Sequence, residues 1–505
     1  MSSFANSTRT PTLSRDLFHQ FLTQALAPFD SAAVVSGEGE ILEIKYESLA
    51  DIGTIGSCAS TVIRYFPLRM GEAVLVNDPY SGGTTLSMLT LVTPLIRDNE
   101  LSPDLFLAVR LGFRARLVFS KSLEEEGLRI PPTPIAHNRA LNLLVVGAIE
   151  AHPQAPRNLR GRLESALELM WRRADTLKAL LQRQSDLCSR QSIKTYLTDS
   201  RDNMFRMLSE WPTGESKSES RWESGELVRL RLELSPERIL FDFAGTTTSK
   251  RICLTDAATF GTCFGAVAAF LQKPVLLNSG TLSLLQVNTP VGSLLNAKYP
   301  SPTYRGMTEG CTQIAGQVIR TLSDIVPQNR LGQAAQSPTQ IALDFGSGSG
   351  AGCFFDSIPG GNGASAHSDG EMAVPLWTRN GLRNSVQEIE SRFPLRLECI
   401  RERLQSGGAG RFQGGSGLIK EYRVLQPATL RWLQASGAES QNGQKGGSPG
   451  LAGEILVTPP NQTPIRLAPW NEGEMKLEPN SVVSVQTAGG GGYGPNSAKE
   501  FDNLP

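Results

Sequence analysis

Residues 77–88, NDPYSGGTTLSM, separate two apolar runs, AVLV at 73–76 and LTLVTPL at 89–95. Short apolar runs bounded by Gly, Pro, Asn and Asp read as strands. The segment between them reads as a loop on a rigid scaffold, where binding and catalytic groups are commonly carried. Asn77, Asp78, Tyr80, Gly82 and Gly83 are therefore the first candidates for a substrate or anion site. Asn and Asp before Pro are also ordinary turn formers, which supplies a structural alternative for the same residues.

Outward from this loop, residues 31–117 alternate short apolar runs with turn signals, as in AAVV, SGEGE and ILEI, and predict mainly strands and loops. Ser14 is placed to cap a short helix from Arg15 to about Ala27. From 158 to 211 the pattern changes. Leu159, Leu163, Leu167, Met170, Ala174, Leu177 and Leu181 recur at steps of three and four, which predicts one apolar face of a long helix used for packing. PTGESKSESRWES (212–224) reads as a polar surface loop and a domain boundary. Val228, Leu230, Leu232 and Leu234 alternate with charged residues before SPE and ILFDF, the signature of a β-hairpin with one buried face. Residues 257–271 and 316–325 read as buried helices, and from Phe393 short strands alternate with Gly-rich turns. The expected fold is α+β and multi-domain: a mixed region over 1–211 ending in long helices, a central α+β region over 225–385, and a β-rich domain over 386–497.

The 505 residues exceed what one core usually organises. Forty-nine Lys plus Arg balance 49 Asp plus Glu, and no basic stripe carries interleaved aromatics, so nucleic acid is not an expected partner. No apolar run approaches the roughly 20 residues of a membrane span and the N-terminus lacks a signal-peptide core, so the expected compartment is the cytoplasm. The seven cysteines are scattered without CxxC spacing and are expected to be reduced and mostly buried. The four histidines form no HxH, HxxxH or HExxH pair, so a histidine-rich metal centre would need long-range convergence of a small supply.

GEAVLVNDPYSGGTTL (71–86), EEEGLRIPP (124–132), FPLRLE (393–398), SGGAGRFQGGSGLIKEY (406–422) and AGGGGYGP (488–495) together resemble the hydantoinase B/oxoprolinase family, in order and in register from about residue 31 to 495. The resemblance implies one subunit, or one half of a fused chain, of an ATP-dependent enzyme that opens cyclic amides such as hydantoins, 5-oxoproline and caprolactam. Related complexes carboxylate ketones such as acetone. It also implies a partner, a hydantoinase A-like chain with an actin-like ATPase fold that phosphorylates the substrate oxygen, while the B-type chain carries a metal-dependent site. Enol phosphate is a better electrophile than an unstrained amide, and a metal lowers the pKa of its bound water toward neutrality.

This sequence departs from the family at the metal positions. Where the family has His-Leu-Pro-Asp after Gly-Gly-Thr, this chain has Thr85, Leu86, Ser87 and Met88. The family's Gly-His-His-Ala-Asp falls on Gly112, Phe113, Arg114, Ala115 and Arg116, an upstream aspartate falls on Ser36, and a later His-Thr-His-Met-Thr-Asn falls on PLWTRN (375–380). Hydroxyl and thioether groups are poor ligands for a divalent cation in an O/N site. His19, His137 and His367 all lie outside these stretches. Arg114 and Arg116 would share a face of a strand over 105–118. Their charge would then fill the space of the ion beside acceptors such as Asp78, form an anion or carboxylate site, or simply be solvated.

The Gly-rich GGGGYG lacks a following helix to serve as a phosphate cradle, FGSGSGAG (345–352) invites close backbone approach, and His367 in SAHSDG reads as an exposed loop residue. The resulting expectation is a hydantoinase B-like subunit of an ATP-dependent cyclic-amide hydrolase-type complex whose own metal site is lost. The alternatives are a non-catalytic structural or regulatory paralogue, or a subunit of a related ATP-dependent carboxylase. No cofactor is expected in this chain, since ATP and a divalent metal would belong to the complex. The expected partner is a hydantoinase A-like ATPase subunit in a hetero-oligomer.

Overall fold

Leu105, Leu107 and Val109 belong to one apolar cluster, whereas the alternate residues Phe106, Ala108 and Arg110 do not, so the two sets face opposite sides of a sheet. The structure, a computed structural model, describes residues 10–96, 104–113, 120, 122–181, 188–222, 225–271, 273–327, 338–346, 352–372, 385–434, 442–467 and 473–495. Two compact units emerge: Met1–Glu215 with Arg231–Met307, and Ser216–Leu230 with Thr308–Pro505. The architecture is α+β. Among the described residues no helix is long and apolar enough to cross a membrane.

In chain order the first unit opens with α1 (Thr10–Leu26), β1 (Ala32–Ser36), β2 (Ile41–Lys45), α2 (Leu49–Tyr65), β3 (Ala73–Val76), β4 (Met88–Ile96) and β5 (Leu105–Gly112). It continues with α3 (Leu123–Glu126), β6 (Thr133–His137), β7 (Ala140–Leu141), α4 (Leu143–Glu150), α5 (Leu159–Leu181) and α6 (Arg190–Ser209). Seven strands form an antiparallel sheet in the order β2-β1-β5-β4-β3-β6-β7. Phe18 and Leu22 of α1, Leu163, Met170 and Leu177 of α5, and Leu197 of α6 pack with Val34, Leu75, Leu91 and Leu107 on one face.

α2 packs against β1, β4 and β5 and contributes buried Ile52, Ile55 and Val62. It is a helix within a region whose pattern predicts strands and loops, because residues 49–65 mix small and bulky side chains without a clean apolar stripe. Glycines on both sides of the contact allow α2 to approach another backbone closely. A Cβ on Gly53 would lie 1.9 Å from the Ala257 carbonyl oxygen, so α2 touches α7 (Asp256–Leu271) across bare backbone.

Other expectations are adjusted locally. The helix over 158–211 is two helices, α5 and α6, and α1 starts at Thr10, ahead of the expected cap at Ser14. The polar run after Pro212 is a strand, β8 (Gly214–Arg221), not a loop. Its serines explain this: Ser216, Ser218 and Ser220 bond Asp324, Thr321 and Gln317 of α9 (Cys311–Ile325), so a strand without apolar residues still has a satisfied face. β9 (Leu227–Leu234) and β10 (Ile239–Asp242) pair antiparallel as the expected hairpin, and β10 runs parallel to β11 (Leu285–Asn288). Between them lie α7 and the short α8 (Ser279–Leu282).

The second unit contains β12 (Thr339–Asp344), β13 (Cys353–Ile358), α10 (Val386–Arg392), β14 (Leu395–Arg403), β15 (Gly417–Val424) and β16 (Ala428–Gln434). β17 (Glu454–Thr458), β18 (Ile465–Arg466), β19 (Gly473–Leu477) and β20 (Val482–Gln486) complete it. The strands form two antiparallel sheets, β13-β12-β16-β19 and β14-β15-β20-β17-β18, sharing a core that includes Leu343, Phe354, Tyr422, Leu430 and Val485. Beyond β20 the AGGGGYG run is structural. Gly490 N–H donates to Gly415 O and Gly415 N–H to Asn362 O, at 2.9 and 2.8 Å. A Cβ on Gly490 would stand 1.9 Å from the Asn362 carbonyl oxygen, so these glycines let main chains pack directly on one another. None of the seven cysteines is in a disulfide, and His367 is exposed in a serine turn.

Candidate functional site

The loop after β3 is held by its own polar side chains. Asn77 is fully buried, donates through Nδ2 to the carbonyls of Leu86 (2.8 Å) and Leu128 (2.9 Å), and accepts at Oδ1 from Ile130 N–H (2.6 Å). It therefore fastens both ends of the loop to the segment after α3. Asp78 caps the single 3-10 turn Pro79–Ser81, accepting from Tyr80 N–H (3.0 Å) and Ser81 Oγ–H (2.8 Å), and takes Arg129 Nη2 at 2.8 Å. Tyr80 donates to the Ser301 carbonyl at 2.7 Å, and burial pushes its phenol up. Gly82 has φ of 97°, and a Cβ there would meet Cys58 N at 2.7 Å, so the turn rests on the backbone of α2.

Beneath the loop lies a buried ion pair. Arg110 on β5 points toward α2, where its Nη1 meets Asp51 Oδ1 at 2.8 Å; both side chains are wholly buried. The same nitrogen donates to Thr54 (3.0 Å) and to Thr84 of the loop. Asp51 Oδ2 accepts from Ser31 Oγ–H and Ser48 N–H, each at 3.1 Å, the latter being one half of a capping box for α2. Nε and Nη2 of Arg110 have no hydrogen-bond partner among the described residues. Burial pushes the neighbouring Cys58 thiol up, and the Arg110 charge works against that shift. The signal in the sequence is a single arginine inside LFLAVRLG, at a position that alternation places inward.

A third cluster joins EEEGLRIPP to residues 299–304. Glu126 accepts at Oε1 from the N–H groups of Thr303 (2.7 Å) and Tyr304 (2.8 Å) and from Ser120 Oγ–H (3.0 Å). Burial outweighs these bonds and raises its carboxyl to about 7. Tyr299 O–H donates to Glu124 (2.7 Å), while Arg129 sits 4.8 Å over the Tyr299 ring, which lies edge-on to Tyr80. Arg129 and Tyr299 are about half exposed and present a cationic, aromatic surface beside Asp78.

Among the described residues, the positions aligned with metal ligands do not converge. Ser36 pairs with Leu105 at one end of β5, whereas Met88 pairs with Gly112 at the other. Met88 alternates with Leu89 and Leu91 and so faces α2, while Phe113 packs against the cluster on the α5 face. Thr85 and Ser87 spend their hydroxyls on each other at 2.9 Å. Arg162 of α5 lies 4.1 Å over the Phe113 ring and donates to the Gly112 carbonyl at 2.6 Å. Arg114, Arg116, Ala115 and residues 375–380 lie outside the described residues, as do 347–351 of FGSGSGAG. Among the described residues no group of three His, Cys, Asp or Glu is arranged to hold a metal.

The model of hydantoinase B/oxoprolinase matches residues 30–496. The chain belongs to the hydantoinase B/oxoprolinase family. Within this family it is 23% identical to an uncharacterised protein of Methanocaldococcus jannaschii over 92% of this chain and 84% of that one. It is 25% identical to 5-oxoprolinase of Dictyostelium discoideum over 86% of this chain but 35% of that one, so it spans about a third of that relative's length. A Pseudomonas protein named as the B-type chain of a D-/L-hydantoinase is 20% identical over 86% of this chain and 78% of its own. The fold matches that of ATP-dependent caprolactamase from Pseudomonas jessenii, with a TM-score of 0.84, 18% identity and coverage of 99% and 94% of the two chains. It also matches acetone carboxylase, with a TM-score of 0.78, 13% identity and coverage of 96% and 76%. The hydantoinase B/oxoprolinase fold is thus kept.

Proposed function

We propose that this chain is a hydantoinase B-type subunit that assembles with a hydantoinase A-like ATPase in a cyclic-amide hydrolase-type complex, and that its Gly-Gly-Thr loop serves structure rather than metal chemistry. Family membership, and a relative named as one chain of a hydantoinase, support the first part. The observation that carries the second is the engagement of the loop's polar groups by the protein itself. Asn77 is used by backbone, Asp78 by Arg129 and the 3-10 turn, Thr84 by Arg110, and Thr85 by Ser87.

The chain is to be expressed with a hydantoinase A-like ATPase, and the purified complex assayed for ATP-dependent opening of hydantoin, 5-oxoproline and caprolactam. Co-purification in fixed ratio is expected. Replacing Thr85 by Val and Met88 by Leu is expected to leave the metal content and any ring opening unchanged. A metal ion or an activity that disappears with those two substitutions would refute the structural role of the loop; failure to associate with any such ATPase would refute the assignment to a complex.

A further inference from the structure

Two of the histidines are held by a carboxylate at Nδ1 while lining a cavity, and the described residues around them differ in sign. His137 pairs with Glu72 at 2.9 Å in a cleft also lined by Arg69, a cation that opposes a second positive charge. His19, on α1, pairs with Glu43 of β2 at 3.2 Å and borders a separate cavity of about 280 Å³ whose described lining residues, Asp16, Asn203, Pro274, Val275 and Leu276, include no Lys or Arg.

The hydrogen bonds decide which nitrogen of His19 is available. Tyr196 donates its O–H to Glu43 Oε2 at 2.9 Å, and His19 Nδ1 approaches the same oxygen. His19 Nδ1 also lies 3.1 Å from the Tyr196 hydroxyl, so Nδ1 is engaged by this pair and Nε2 is the ring nitrogen left for a ligand. His19 lines the cavity, whereas Glu43 and Tyr196 are not among its described lining residues. Asp16 precedes His19 by one turn of α1 and shares its face, and Asn203 of α6 faces them from the other side. An imidazole whose other nitrogen is engaged by a partly buried carboxylate, with an acid one helical turn away, is the arrangement that orients a metal ligand.

We propose that Asp16, His19 and Asn203 form a site for a first-row divalent transition ion, with Glu43 and Tyr196 as positioning residues that fix the His19 ring. Imidazole selects Zn²⁺, Cu²⁺, Ni²⁺ or Co²⁺ over Mg²⁺ or Ca²⁺, and two ionisable ligands plus an amide leave positions for water. The cavity has room for a hydrated ion, since one water takes about 30 Å³ of liquid. The site is remote in sequence from the Gly-Gly-Thr loop and independent of it.

The test is calorimetric titration of the full chain with Zn²⁺, paired with Cu²⁺ electron paramagnetic resonance. One equivalent bound with the hyperfine pattern of a single imidazole nitrogen is expected. His19→Asn retains an N–H toward Glu43 but lacks Nε2; it is expected to keep the thermal midpoint of the metal-free protein and to weaken Zn²⁺ binding at least 100-fold. Glu43→Gln, which touches no metal, is expected to weaken it about 10- to 100-fold, and His137→Ala to leave it unchanged. Absence of stoichiometric binding, undiminished binding by His19→Asn, or loss on His137→Ala would each overturn the assignment. Thr85→Val with Met88→Leu separates this site from the loop, because binding here is expected to survive both.

Discussion

The Asp51–Arg110 pair makes a quantitative prediction because its two halves are unequally supported. Asp51→Ala removes the partner of a wholly buried guanidinium whose Nε and Nη2 already lack acceptors among the described residues. Stranding such a charge costs about 3–5 kcal/mol, and loss of the Ser48 capping contact adds about 1 kcal/mol. Arg110→Met leaves a carboxylate that still accepts from Ser31 and Ser48, and it also removes two unsatisfied donors. Each unsatisfied donor costs about 1–3 kcal/mol, so the net loss is expected to be smaller, about 2–3 kcal/mol. The double variant should recover about 2–3 kcal/mol relative to the sum of the singles. Urea unfolding of the three variants and the parent, followed by tryptophan fluorescence and circular dichroism, closes the cycle. Additivity within about 0.5 kcal/mol, or a larger loss for Arg110→Met than for Asp51→Ala, would refute a pair that depends on mutual burial.

Gly490→Ala places a methyl group 1.9 Å from the Asn362 carbonyl oxygen and is expected to abolish soluble folding of the second unit, read by expression yield and thermal melting. Gly147→Ala in α4 meets no atom within 4 Å and is expected to stabilise by about 0.5–1 kcal/mol on the same melt. Asn77→Ala strands Ile130 N–H and the carbonyls of Leu86 and Leu128, one buried and one partly buried, and is expected to cost about 2–4 kcal/mol with faster proteolysis within 77–88. The Glu126 carboxyl is raised from its ordinary 4.5 to about 7, so the folded state holds its proton more tightly than the unfolded state. Its stabilising contribution is complete below about 4.5 and is lost as pH rises through about 7. Urea midpoints measured from pH 4.5 to 8 should therefore fall by an amount that Glu126→Gln removes; identical profiles would exclude the linkage.

Local periodicity makes much of the architecture legible. The three-and-four spacing from Leu159 to Leu181 is α5, the alternation at 228–234 is β9, and the Gly-rich end is a β-rich unit. α2 is not legible, because its helical face is built from small residues whose partner is another backbone, a property of α7 rather than of 49–65. The same reason hides β8, whose serines gain their value only from α9. For the candidate site, the loop and its paired glycines are visible in the sequence, whereas Arg114 and Arg116 fall outside the described residues. Among the described residues, Arg110, Arg129 and Arg162 are cations that the structure places at the loop and at the end of β5.

The sequence by itself determined the family, the strand-loop-strand character of 73–95, the absence of histidines from the aligned ligand stretches, and the reduced cysteines, because these depend on residue type and short spacing. Tertiary structure alone decided what the loop does with its polar groups. Asp51 meets Arg110, Glu126 meets the N–H groups of Thr303 and Tyr304, and His19 meets Glu43 only after distant segments pack. A buried charge or carbonyl takes whichever partner the fold brings within about 3 Å, and spacing along the chain carries no record of that choice.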